Sequence, residues 1–212
     1  MIYFPMPGCK SRTNYWRCNH YATRIYADHL FNSVLSGIGS IIQSMRLFVA
    51  VFPPKQVVDV LHSLPHPERK GVRWTPIDNL HITLAFMGEV EDVDMAIKTF
   101  YALPTDDGRV FTATVGPTTA LLGSNILQVP VTGLEDIAKS IFNLPWSKLP
   151  AGLGRPFHGH ITLARAKERH TISSLAGLPV HASWDVLSIE LMSSQLGMHG
   201  STYEKIASHK LK

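Results

Sequence analysis

The chain has 212 residues, 45% of them hydrophobic, enough for one domain or two small ones with a sizeable core. Its net charge of +4 is unevenly placed. Residues 1–44 carry four basic residues against one acidic, and residues 45–212 carry 16 against 15, so most of the chain has no broad electrostatic footprint for nucleic acid. The absence of any 18-residue apolar run excludes a membrane-spanning helix, and the two cysteines, Cys9 and Cys18, leave a remainder that needs no oxidising compartment. A cytoplasmic monomer is expected.

Residues 1–44 lack sustained periodicity and mix aromatic residues with Pro, Gly and Asn. Leu30 to Ile42 is apolar but interrupted by polar and glycine residues, without the basic-then-apolar order of a secretion signal. This segment reads as an extension, poorly ordered or not native, and Met45 as the start of the functional domain, residues 45–212. Arg46 to Phe52 is a strand. Pro53-Pro54 starts a short amphipathic helix on Val57, Val58, Val60, Leu61 and Leu64, followed by a polar loop over 65–71. Val72-Arg73-Trp74 leads through Thr75-Pro76 into a strand from Asn79, which Gly88 is expected to close. A helix over 91–103 turns Val93, Ile97, Phe100 and Tyr101 inward behind an acidic first turn. Strands follow at 109–115 and 125–131, then a helix over 134–144 and a Pro/Gly-rich connection over 149–156. A strand from His160 comes next, with further strands near 183–192 and 202–207 joined by a loop holding Gly197 and Gly200. Strands and helices without regular alternation favour an α+β fold with antiparallel sheets.

The five residues His81-Ile82-Thr83-Leu84-Ala85 return as His160-Ile161-Thr162-Leu163-Ala164. Such an identity is an internal repeat, and a 79-residue period is too long for a solenoid, so two similar lobes facing each other fit it better. Each copy has strand periodicity, in which residues i and i+2 share a face. His81 and Thr83 then lie on one face, with Ile82, Leu84 and Phe86 on the other. His160 and Thr162 likewise oppose Ile161 and Leu163. Two imidazoles flanking one substrate supply a general base and a general acid, and a hydroxyl two residues on can hold an oxyanion. The set describes in-line displacement at phosphorus without a metal or a covalent intermediate. Strict alternation places Arg165 on the apolar face, which leaves its role as a substrate contact open. Arg155, Arg165, Lys167 and Arg169 surround the second copy with Glu168 among them, while Glu89, Glu91, Asp92 and Asp94 follow the first.

Arg73 to Pro76 with Asn79 to Glu89, and Arg155 to Arg165, resemble the two signature motifs of the 2H phosphoesterases. Within that superfamily the chain is most similar to the RNA 2′,3′-cyclic phosphodiesterases, also called 2′-5′ RNA ligases. The strand Arg46 to Phe52, Leu196-Gly197 to Gly200 and Tyr203-Glu204 add to the likeness, which spans residues 45–212. The resemblance implies a bilobal fold with a pseudo-twofold axis, antiparallel sheets, flanking helices and a central cleft lined by both motifs. It implies opening of an RNA-terminal 2′,3′-cyclic phosphate to a 2′-phosphate without a cofactor, and 2′-5′ ligation as a possible reverse activity. His81 would be the proton donor to the leaving oxygen, His160 the base that activates water, and Thr83 and Thr162 the contacts to phosphate, while Arg165 stands beside them as a candidate substrate contact. One departure is Ser193-Ser194, where the family commonly has an Arg before the Ser.

Three other readings compete. The site could serve a small cyclic nucleotide or the cyclic phosphate of ADP-ribose. The fold could be an RNA-end binding module, against which stands the retention of both His and both Thr. His158 and His160, one residue apart on a strand, could chelate a metal with His81 as third ligand, but no carboxylate accompanies them and the threonines would go unexplained. Trp74 and Phe157 lie near the motifs and could stack a base, with core packing the better reading.

Overall fold

The computed structural model describes residues 44–104, 109–146, 156–168, 171–197 and 200–211. The expectations for residues 1–43 and for the connection over 149–155 lie outside the described residues.

The motif strands anchor the architecture. Strand β1 (Met45–Val51) leads by helix α1 (Lys55–His62) and strand β2 (Val72–Trp74) to β3 (Ile82–Val90), which carries the first motif. Helix α2 (Val93–Tyr101), β4 (Thr112–Val115) and β5 (Ala120–Leu122) follow. Then β6 (Ile126–Thr132) and helix α3 (Glu135–Phe142) lead to β7 (His160–Ala166), the second motif strand. The described chain ends with β8 (Ala182–Asp185), β9 (Ser188–Gly197) and β10 (Gly200–Lys210). Across the sheet the order is β10-β9-β1-β3-β7-β6-β4-β8, with β2 beside β7 and β5 beside β6. All these pairings are antiparallel. The fold is α+β and bilobal: β1-α1-β3 in one half corresponds to β6-α3-β7 in the other, and β3 and β7 meet at the centre.

Each half owes its form to alternation and capping. In β1, Leu47, Val49 and Val51 face the main core, while Phe48 and Ala50 face a second, smaller cluster with Met192, Phe52, Phe86 and Tyr203. Helix α1 buries Val57 and Leu61, one turn apart, and α3 buries Ile137, Ala138 and Ile141. Asp92 caps α2 by accepting from the Met95 amide at 2.8 Å. Helix α1 packs on β8 of the other half and α3 packs on β3, so each half covers part of its counterpart. At the central junction β3 and β7 pair at a single position among the described residues, Ile82 opposite Ile161, and both side chains are fully buried.

Several expectations are corrected. Gly88 does not end the first motif strand. At φ +72° it sits at a register shift, and the strand runs on to Val90. Val72–Trp74 is a strand of its own, joined to the motif by a 3-10 turn over Ile77–Asn79. The stretch 183–192 is two strands broken at Val186-Leu187, and β8 and β9 lie in opposite halves of the sheet. Tyr101 is 52% exposed, because the inward stripe of α2 is Ala96, Thr99 and Phe100.

Candidate active site

The register at the centre brings the two motifs together. In an antiparallel pair, one step forward on one strand is one step back on the other. From Ile82 opposite Ile161, His81 is therefore aligned with Thr162 and Thr83 with His160. With the isoleucines in the core, these four side chains share the other face. All four line one cavity of about 260 Å³, together with Arg46, Phe48, Thr75, Asn79, Phe86, Arg165, Ser194, Leu196, Ser201 and Tyr203.

Both imidazoles are oriented in the same way. Nδ1 of His81 donates to the carbonyl oxygen of Asn79 at 2.7 Å, and Nδ1 of His160 donates to that of His158 at 3.0 Å. A carbonyl can only accept, so each ring holds its hydrogen on Nδ1 and leaves Nε2 to exchange a proton. Thr83 and Thr162 line the same cavity wall as these rings.

Arg165 joins this face although alternation in the sequence predicted the opposite. Gln128 pairs with Thr162 and Leu127 with Ala164, so Leu163 is an extra residue in β7, a bulge that reverses the alternation beyond it. Leu163 and Ala164 are buried in succession, and Arg165 is exposed on the side of His160 and Thr162. The first motif has the same device. Ala50 pairs with Thr83 and Val49 with Ala85, which makes Leu84 the extra residue and turns Phe86 to the cleft. Phe86 therefore does not share a face with Ile82 and Leu84.

No family model matches the sequence. The chain is 32% identical over 141 residues to the RNA 2′,3′-cyclic phosphodiesterase of Escherichia coli K12, a match covering 61% of this chain and 77% of that protein. The chain belongs to the RNA 2′,3′-cyclic phosphodiesterase family of 2H phosphoesterases. The crystal structure of E. coli LigT complexed with 3′-AMP superposes with a TM-score of 0.59 at 26% identity, over 79% of this chain and 98% of that one. A crystal structure described as a phosphoesterase gives 0.60 at 25% identity, over 80% and 99%.

This family member surrounds its two histidines differently. His81 sits among aromatic rings, with centroids at 5.2 Å for Phe48, 5.2 Å for Tyr203 and 5.8 Å for Phe52. Burial lowers its pKa, partly offset by the hydrogen bond to Asn79, and the nearby charges of His160 and Arg165 lower it further. The phosphodiesterase motifs alone do not reveal these rings. The available signal was the period-2 run Phe48, Ala50, Phe52, a second apolar face on β1 in register with the motif strand.

Arg46 is the other residue that motif reasoning passed over. Strand β1 sets it directly across from Ser194 on β9, within the family's departure at Ser193-Ser194, so an arginine reaches this wall from the neighbouring strand. Its guanidinium lies over the Phe86 ring at 5.1 Å and pairs with Glu89 at 3.8 Å. Trp74 and Phe157 pack against the main core, as the packing reading expected. His158 is exposed before the start of β7 and meets the site through its backbone carbonyl. Among the described residues no group of three His, Cys, Asp or Glu side chains is placed to hold a metal ion, and no helix is long and apolar enough to cross a membrane.

Proposed function

We propose that the protein hydrolyses a 2′,3′-cyclic phosphate at an RNA end to a 2′-phosphate, using His81 and His160 as a proton-transfer pair. The observation that carries this reading is the single cavity shared by both His-x-Thr strands, with Nε2 of each ring left for proton exchange. His160 takes a proton from water as the oxygen attacks phosphorus, the bond from phosphorus to O3′ breaks, and His81 gives a proton to O3′. The Thr83 and Thr162 hydroxyls and the Arg165 guanidinium hold the non-bridging oxygens. Every proton in this scheme moves through an imidazole, and no metal ion is asked for. The donor and base roles follow the family resemblance. The surroundings of His81 agree with them, since a depressed pKa makes its protonated form a stronger acid toward the leaving oxygen.

The test is hydrolysis of a short RNA ending in a 2′,3′-cyclic phosphate, in EDTA, by the wild type, His81→Ala and His160→Ala. Turnover to a 2′-phosphate by the wild type and a fall of roughly 10²- to 10⁴-fold in each variant is the expected result. Activity that returns only with a divalent ion would overturn the metal-free scheme, and a 3′-phosphate product would overturn the assignment of the leaving oxygen.

A further inference from the structure

Arg165 lines two hollows. Besides the cavity of the two motifs, it borders a groove of about 310 Å³ formed by Gly71, Val72, Arg73, Arg165, Ala166 and Lys167. We propose that this groove holds the phosphodiester next to the terminal nucleotide, so that the substrate class is an oligonucleotide end rather than a free nucleoside cyclic phosphate. The proposal rests on the phosphodiesterase reading above and extends it to substrate length.

The sheet sets two like charges on neighbouring strands. Strands β2 and β7 pair Arg73 directly opposite Arg165. On β2 the neighbours Val72 and Trp74 pack against the core, which puts Arg73 on the outer face. On β7 the bulge at Leu163 brings Arg165 to that face as well. Like charges directly opposite on adjacent strands repel. Among the described residues no ion pair joins Arg73, Arg165 or Lys167 to a carboxylate. A phosphate between the two guanidiniums removes the repulsion and accepts charge-assisted hydrogen bonds from both. Lys167 adds a third cation to the same wall. Its amide donates to the Gly71 carbonyl at 2.9 Å, and its side chain lies along Gly71, where a Cβ would meet Lys167 Cβ at 3.8 Å and Cδ at 4.0 Å.

A second groove beside the cleft is a poorer path for phosphates. A groove of about 510 Å³ runs past Ser44, Met45, Arg46, Glu89 and Ser193 to Leu196. Arg46 is its cation, and Glu89 neutralises it at 3.8 Å while also accepting from the Ser44 hydroxyl. A polyanion leaving the cleft therefore finds paired charge on the Arg46 side and unpaired positive charge on the Arg165 side.

The experiment compares cytidine 2′,3′-cyclic phosphate with a trinucleotide ending in the same cyclic cytidylate, using wild type, Arg73→Gln and Lys167→Gln at two salt concentrations. The wild type is expected to prefer the trinucleotide in kcat/KM, with the preference shrinking as salt rises. Each substitution is expected to lower the ratio of trinucleotide to mononucleotide kcat/KM roughly tenfold, mainly through KM. Two exposed sites guard against the failure of one variant to fold. Equal wild-type kcat/KM for the two substrates, or an equal fall on both in the variants, overturns the subsite while leaving the phosphodiesterase reading in place. Wild-type inactivity on both substrates overturns the reading itself and the subsite with it.

Discussion

His81 and His160 make the same backbone hydrogen bond in different surroundings, and that difference should be measurable as pH dependence. Burial among Phe48, Phe52 and Tyr203 holds the His81 pKa below its ordinary value. If His81 is the proton donor, activity falls as pH rises through that pKa, so the alkaline limb of kcat/KM should lie below about pH 6.5. A bound cyclic phosphate carries negative charge and favours the imidazolium, so the alkaline limb of kcat should lie at higher pH than that of kcat/KM. Tyr203→Ala admits water to the ring and should raise the His81 pKa in an NMR titration, moving the kcat/KM limb the same way. Coincident limbs would contradict the effect of the bound phosphate on His81, and an unmoved titration in the variant would contradict the desolvation argument. A folded-state pKa below the unfolded value leaves the His81 contribution intact above about pH 6.5 and loses it as pH falls through the folded value. In the sequence, the paired histidines and threonines were legible because a five-residue repeat is a local signal. The aromatic rings around His81 come from two strands far apart in sequence, Phe48 and Phe52 on β1 and its end and Tyr203 on β10, and no local pattern joins Tyr203 to Phe48.

At the level of elements, the site depends on interruptions of regular structure. The bulges at Leu84 and Leu163 occupy the same place in both motifs and give the cleft Phe86 and Arg165, two positions that ideal alternation would have buried. Alternation in the sequence therefore placed the first four motif residues correctly and misassigned Phe86 and Arg165 beyond them. It failed at the extra residue, because pairing partners determine a bulge and a strand read alone does not contain them. The same limit explains why β8 and β9 read as one strand: their sequence is nearly continuous, and only their partners, β4 for one and β1 with β10 for the other, separate them. Entry to the second motif strand is controlled by Gly159, whose amide carbonyl accepts from Val131 at 2.8 Å. A Cβ at Gly159 would stand 2.5 Å from the Val131 carbonyl oxygen, too close for the strand to stay in place. Gly159→Ala is accordingly expected to cost about 1–3 kcal/mol in urea unfolding and to lower kcat by displacing the adjacent His160. Unchanged stability and rate would mean that the close approach to β6 has no structural consequence.

For the whole molecule, the question is what holds two similar halves in the register that aligns each histidine with the other motif's threonine. The β3–β7 junction supplies one backbone pair, β2 adds three positions of pairing with β7, and α1 packs on β8 and α3 on β3. Ile82 and Ile161 are fully buried at the centre of that junction, so each should report on its packing. Replacing either with Val removes one methylene and should cost about 0.5–1.5 kcal/mol. The two positions face each other directly, so the double variant should depart from the sum of the singles by at least about 0.5 kcal/mol. Independent halves would instead give additive costs and two unfolding transitions. The same cycle read in kcat/KM separates stability from alignment: Ile82→Val and Ile161→Val leave all four proposed functional side chains in place, so any loss of rate beyond the unfolded fraction measures a shift of one motif against the other. A site assembled across the junction should lose rate in both single variants, because each moves a histidine relative to the threonine contributed by the opposite half. A rate that follows only the folded fraction would show that the β2–β7 pairing and the helices, and not the isoleucine pair, set the register of the cleft.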